Sequence, residues 1–106
     1  MPRPMDTLSR LAATIAARRD ADPATSWVAK LNARGVPVIA RKLGEEAVEA
    51  IVAALAGSRE ELVGEAADVL FHLLVLLDAK GVPLAEVLAE LERREGISGI
   101  AEKASR

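Results

Sequence analysis

The sequence predicts an all-α fold, a bundle of about five helices, and three observations lead there. Ala and Leu, both strong helix formers, dominate the composition. Apolar residues recur at helical spacing along most of the chain. Gly, Pro and Ser fall where helices start or stop, and no segment alternates with the period of a strand.

Taken in order, the first helix is expected from about Thr7 to Arg19, with Asp6 as its N-cap and Leu8, Leu11, Ala12 and Ile15 as its apolar stripe. A loop from Asp20 to Thr25 contains Pro23. A short helix covers Ser26 to Ala33, capped by Ser26 or Thr25 and ended by Gly35. The third helix starts near Pro37, where the missing N–H costs nothing, and runs to about Ala56. Ser58 then caps the fourth helix in a capping box with Glu61. That helix continues to about Lys80, where Gly81 ends it; Gly64 inside it weakens it and marks a close approach of another helix. Pro83 opens a fifth helix that ends near Gly96. Residues 1–6 and 97–106 are expected to be irregular, and 1–106 to form one domain, since 106 residues suit a single core.

Hydrophobic residues make up 51% of the chain, much for so small a core, and self-association is the natural outlet. There is no Cys, which removes disulfides and thiolate metal sites. A net charge of -2 with both signs spread along the chain does not suit a nucleic-acid surface, so no nucleic-acid partner is expected. The longest apolar run, Val69 to Leu77, is broken by His72 and far shorter than the ~20 residues a membrane span needs. No apolar leader segment follows Met1, so the expected location is the cytoplasm, with no membrane partner.

The chemistry concentrates on the two longest helices. Glu45, Glu46 and Glu49 fall within five residues of the third, with Lys42 a turn before Glu46. Its apolar stripe, Val48, Ile51, Val52 and Leu55, lies on another face. The fourth helix is apolar nearly all round from Ala66 to Leu77, except for a narrow stripe of Glu65, Asp68 and His72. Such a helix is expected to be buried on both flanks, with the polar stripe inside the protein or in a cleft. A carboxylate there needs a partner, and the helix offers no Lys or Arg near it. Counting outward from Gly57 and Ser58 brings Glu49 level with Glu65, so Glu46, Glu49, Glu65 and Asp68 are expected to converge. All-oxygen ligation by Asp and Glu suits Mg²⁺ or Mn²⁺, and a carboxylate-held Mg²⁺ takes phosphate oxygens as further ligands. That points to phosphoryl-oxygen chemistry.

The pattern Glu-Glu-x-x-Glu at residues 45–49, followed by Glu-x-x-Asp at residues 65–68, resembles the signature of the MazG-like all-α nucleoside triphosphate pyrophosphohydrolases. Four segments narrow the likeness: SWVAKL from Ser26, KLGEEAVE from Lys42, EAADVLFHLLVLL from Glu65 and AEKASR at the end. Together they resemble the phosphoribosyl-ATP pyrophosphatase family over about Leu8 to Arg106, with Trp27 and Phe71 standing where Tyr is common in that family. The resemblance implies hydrolysis of phosphoribosyl-ATP to phosphoribosyl-AMP and pyrophosphate, the second step of L-histidine biosynthesis. It implies Glu46, Glu49, Glu65 and Asp68 as Mg²⁺ ligands and Glu45, with Glu46 and Glu49, in the catalytic group. Lys30, Lys42 and Lys103 become candidates for phosphate contacts, and a homodimer completes the helical core.

Bland readings stand beside these. His72 reads as a structural histidine, Trp27 as core or interface rather than an adenine platform, and Arg18, Arg19, Arg93 and Arg94 as surface charge. Two other functions share the features: a house-cleaning nucleoside triphosphate pyrophosphohydrolase with the same metal site, and a non-enzymatic oligomerisation module whose acidic stripe pairs with a partner's Lys and Arg.

Overall fold

The structure is a computed structural model that describes residues 4–95 together with Ile97, Gly99, Lys103 and Ala104; for residues 4–6 it describes the backbone alone. Among the described residues there are five helices and no strand. They are α1 (Pro4–Arg18), α2 (Trp27–Arg34), α3 (Val36–Ala56), α4 (Arg59–Ala79) and α5 (Leu84–Arg94).

Helix α1 begins at Pro4, three residues earlier than expected. Proline is at home in a first helical position because its absent N–H has no helical acceptor to lose. Asp6 therefore lies inside the first turn and is not the N-cap, and 4–6 are helical where irregular chain is expected. Residues 1–3 lie outside the described residues. In the tail, Gly99, Lys103 and Ala104 have helical backbone, which also departs from the expectation; the rest of 98–106 lies outside the described residues.

The capping chemistry explains the other boundaries. Ser26 Oγ accepts from the Ala29 N–H at 3.2 Å and starts α2. Gly35 alone separates α2 from α3: its N–H donates to Leu31 and Asn32, while its carbonyl accepts from Val38 and Ile39. Its φ of 93° lies in a region that an L side chain rarely adopts. Ser58 Oγ accepts from the Glu61 N–H at 3.1 Å and starts α4 as its expected N-cap; its hydroxyl also donates to the Glu61 carboxylate at 3.3 Å, in place of the bond from the Ser58 backbone N–H that a full capping box has. At the far end of α4 the Val82 N–H donates to Leu77 and the Gly81 N–H to Asp78, with Gly81 at φ 69°. This is the paired closure that glycine permits after a helix.

The core gathers where α1, α2, α3 and the second half of α4 meet. Ile15, Leu31, Ile39 and Val75 are fully buried, joined by Val28 and Leu74. Each such side chain contributes about 2 kcal/mol by leaving water. Leu8, Leu11, Phe71, Leu77 and Leu84 pack around them.

Helices α3 and α4 form an antiparallel hairpin across Gly57 and Ser58, and theirs is the most extensive packing in the chain. Its tip extends past the cover of the other helices. Val48, Ile51, Val52 and Leu55 on α3 and Leu62, Val63 and Leu70 on α4 are exposed. The expectation that α4 is buried on both flanks thus holds only for its second half, from Phe71 onward, where α1 packs. The close approach expected at Gly64 is absent among the described residues: a Cβ there would meet none of them within 4 Å. The tight glycine is Gly57, where a Cβ would fall 3.0 Å from the Ala53 backbone.

Candidate functional site

The α3–α4 hairpin fixes which carboxylates can meet. Glu46 and Glu49 stand one turn apart on α3, and Glu65 faces them from α4. One oxygen of each lies within 4.8 Å of one of the others' oxygens, a spacing that could hold a single cation. Glu46 and Glu65 are half-buried and Glu49 is exposed, so the cluster opens to solvent on the Glu49 side.

Like charges this close raise one another's proton affinity, and burial adds to the effect. Loss of hydration pushes the Glu65 carboxyl up to about 7, helped by close hydrogen-bonding approach to Glu46 and Glu49 and by their charges. Burial also raises Glu46; the hydrogen bond with Glu65 opposes that rise, and the charges of Glu49 and Asp68 add to it.

A divalent cation fits this donor set. Oε2 of Glu46 and Oε2 of Glu65 are both buried without a hydrogen-bond partner among the described residues. Buried carboxylate oxygens left without a donor are costly. A hard cation would satisfy both atoms and reverse the repulsion, and oxygen-only donors favour Mg²⁺-type ions over Zn²⁺.

Other residues singled out by the sequence sit as follows. Asp68 is exposed, outside the three-carboxylate group, and not within the protein or in a cleft as expected; it is near enough for its charge to raise Glu46. Glu45 is not in the cluster either. Its carboxylate pairs with Arg41 at 3.5 Å through one oxygen and with Lys42 at 3.4 Å through the other. Lys42 is therefore held on α3, a turn from Glu46. Lys30 places its ammonium 6.0 Å from the Trp27 ring centroid, within the range of a cation–π contact. Trp27 is 45% exposed, so it is not a core residue of this chain. Lys103 is exposed in the tail.

His72 fits the structural reading: it is buried, its Nδ1 lies 2.8 Å from the Asp68 carbonyl, and Phe71 packs on it edge-on. Arg93 and Arg94 both pair with Glu90, holding its carboxyl down at about 2.

Two further relationships stand outside the expectations above. Arg19, which reads as surface charge, makes a two-pronged bond to Asp78 at 2.9 and 2.8 Å, tying the end of α1 to the end of α4. Their separation of 59 residues leaves no local signal. The Arg41–Glu45 pair, by contrast, has helical i,i+4 spacing and could have been found that way.

Two recesses adjoin the cluster. One runs toward the hairpin tip between Glu49, Val52, Ala53, Gly57, Glu61 and Glu65. The other runs along α3 past Arg41, Gly44, Glu45, Val48 and Glu49. Among the described residues, no helix is long and apolar enough to cross a membrane.

Comparison with known proteins places these features in context. Residues 8–95 match the family model described as phosphoribosyl-ATP pyrophosphohydrolase. A protein of Erythrobacter litoralis named phosphoribosyl-ATP pyrophosphatase is 68% identical over 102 residues, spanning 96% of this chain and 98% of that relative. A relative of the same name from Novosphingobium aromaticivorans is 69% identical over 101 residues, 95% of this chain and 94% of its own. One from Dinoroseobacter shibae, also so named, is 68% identical over 102 residues, 96% of this chain and 100% of its own.

Proposed function

The chain belongs to the phosphoribosyl-ATP pyrophosphohydrolase family, and on that footing we propose that it hydrolyses phosphoribosyl-ATP to phosphoribosyl-AMP and pyrophosphate. This is the second step of L-histidine biosynthesis. The observation that carries the reading to this chain's own residues is the meeting of Glu46, Glu49 and Glu65 across the hairpin, with two buried oxygens lacking a donor.

In this reading Glu46, Glu49, Glu65 and Asp68 hold Mg²⁺, with Mn²⁺ able to replace it. When bound, the ion neutralises charge on the phosphate chain and acidifies a water for attack on phosphorus. Glu46 and Glu49 position the reacting groups from α3. Glu45 acts beside them by orienting Lys42, to which it is already paired. Lys42 meets phosphate oxygens next to the cluster, and Lys30 and Lys103 supply further positive charge from α2 and the tail. Asp68, one turn after Glu65 on α4 and near enough for its charge to raise Glu46, would complete the donor set.

The chain acts as a homodimer of single-domain subunits. The support is the exposed apolar stripe of Val48, Ile51, Val52 and Leu55 with Val63 and Leu70 across the hairpin, a surface that a second copy can cover. It works in the cytoplasm, without a nucleic-acid or membrane partner. The acidic balance and the shortness of its apolar runs favour that setting.

The test is incubation of the purified protein and Mg²⁺ with phosphoribosyl-ATP and, separately, a panel of deoxynucleoside triphosphates, with product identification. Pyrophosphate and phosphoribosyl-AMP are expected. A clear preference for the panel, or orthophosphate as product, sinks the reading.

A further inference from the structure

We propose that His72, through its Nε2 atom, binds a hydroxyl of the ribose that carries the phosphate chain, and so favours a ribonucleotide over its deoxy counterpart. The inference rests on the proposed function, since it assigns a further contact to that substrate. His72 is only 6% exposed, and its Nδ1 lies 2.8 Å from the Asp68 carbonyl oxygen. A carbonyl oxygen only accepts, so Nδ1 is the donor, and in the neutral ring Nε2 is left as a bare acceptor. Among the described residues Nε2 has no hydrogen-bond partner.

The ring lies against the face that carries the carboxylates. Glu65, Asp68 and His72 are spaced three and four residues apart, so they share one side of α4. The bond to the Asp68 carbonyl lays the ring back over the turn that bears Asp68, whose charge reaches Glu46. Phe71 meets the ring edge-on, with 5.1 Å between centroids, and brings no polar hydrogen. The carboxylates of that face are acceptors themselves, and the ammonium of Lys42 is turned to Glu45.

A buried acceptor without a donor selects its ligand by chemistry. Ionised phosphate oxygens only accept, so the phosphate chain cannot satisfy Nε2. Within a nucleotide, the donors closest to that chain are the hydroxyls of the ribose to which it is attached. Before substrate arrives, water can hold Nε2. A ribose hydroxyl replaces that bond, whereas a sugar lacking the hydroxyl displaces the water and returns nothing. A site built around a buried polar group rejects the analogue that leaves it unpaired for this reason. One ring nitrogen of His72 thus fixes the side chain, and the other reads the sugar.

The experiment measures inhibition of phosphoribosyl-ATP hydrolysis by ATP, 2′-deoxy-ATP and 3′-deoxy-ATP. With the wild-type chain, one deoxy analogue should inhibit about tenfold more weakly than ATP, the loss expected when a buried acceptor is left without its donor. In His72→Asn, whose amide can still reach the Asp68 carbonyl but which has no atom at Nε2, all three should inhibit alike. KM for phosphoribosyl-ATP should rise about tenfold in that variant, with a smaller change in kcat. His72→Gln, which places an amide near Nε2, should recover part of the preference. Equal inhibition of the wild-type chain by all three overturns the proposal, as does a preference that survives His72→Asn. A second measurement needs no variant. The chain has a single histidine, so the imidazole ¹⁵N spectrum of labelled wild-type protein at pH 8 reports His72 alone. Its Nε2 should carry no proton, and the resonance should shift with ATP and Mg²⁺ but not with inorganic triphosphate and Mg²⁺. An equal shift with triphosphate assigns the partner to phosphate or to water on the ion and overturns the proposal, as does no shift with ATP. If the wild-type chain does not cleave phosphoribosyl-ATP, the proposed function fails separately and the spectrum still decides for His72.

Discussion

Glu46 on α3 and Glu65 on α4 each bury one oxygen, Oε2, that no donor among the described residues meets. This shared shortfall gives the protein a pH dependence whose sign can be worked out. The Glu65 carboxyl is raised to about 7, chiefly by burial, from an ordinary value of 4.5. Between those values the folded chain holds a proton that the unfolded chain has released, so stability falls as pH rises through this window. Thermal melts of the cation-free protein should therefore give a lower Tm at pH 8 than at pH 5.5 from this site. Mg²⁺ should recover the loss at pH 8, where the carboxylates are free to bind it. Glu65→Gln should flatten both responses; a variant that keeps the full slope assigns it elsewhere.

The same geometry ranks the acidic residues. Glu49 lies in the three-carboxylate group and Asp68 outside it. Calorimetric titration with Mn²⁺ should find that Glu49→Gln weakens binding by more than about 100-fold. Asp68→Asn should cost about tenfold, the scale of a residue that closes on an ion already held by others. Glu45→Gln should leave Mn²⁺ affinity within about twofold, because its carboxylate is engaged with Arg41 and Lys42. Equal losses for all three would show that the ion sits elsewhere on the stripe.

How far these relationships can be read from the letters follows from where their causes lie. Caps are local: Ser26, Ser58 and Gly81 end or start helices through bonds to neighbours three to five residues away, and each is legible in the sequence. The meeting of Glu49 with Glu65 is legible too, because a two-residue turn fixes the register of a helical hairpin. Asp68 is not, since register places a side chain on a helix face and does not fix the direction in which it points. Arg19 with Asp78 is hidden by a separation of 59 residues along the chain. The apolar face of α4 reads as buried on both flanks because periodicity shows that a face needs cover and not which molecule supplies it.

That uncovered face makes Gly64 informative. It sits in the interior of α4, and a methyl group placed on its Cα would meet nothing within 4 Å. For the isolated chain, Gly64→Ala should stabilise by about 1 kcal/mol through helix propensity alone. If a second copy packs there, the added methyl should instead weaken association. Sedimentation at several concentrations, run beside Val52→Asp, separates the cases. Val52→Asp places a charge in the exposed stripe and should give a monomer. A wild-type chain that is monomeric at every concentration would defeat the homodimer.

The last expectation concerns the Arg19–Asp78 clamp. The Asp78 side chain is only 12% exposed while Arg19 is 47% exposed, so the two partners are not equivalent. Removing Arg19 leaves a carboxylate largely out of water beside Leu77 and Val82 with no counter-charge, whereas removing both leaves a neutral surface. Arg19→Ala should therefore lower the melting temperature more than the double variant Arg19→Ala/Asp78→Ala. Arg18→Ala, at an exposed position in the last turn of α1, should change little. The order is the test, because simple addition of two losses predicts the opposite. Since Arg19 binds the carboxylate at the C-terminal end of α4 and the acidic cluster lies in its first half, Mn²⁺ affinity should be the same in all three variants at temperatures where they remain folded. A melting order that follows the number of residues removed would reduce the clamp to an ordinary surface pair.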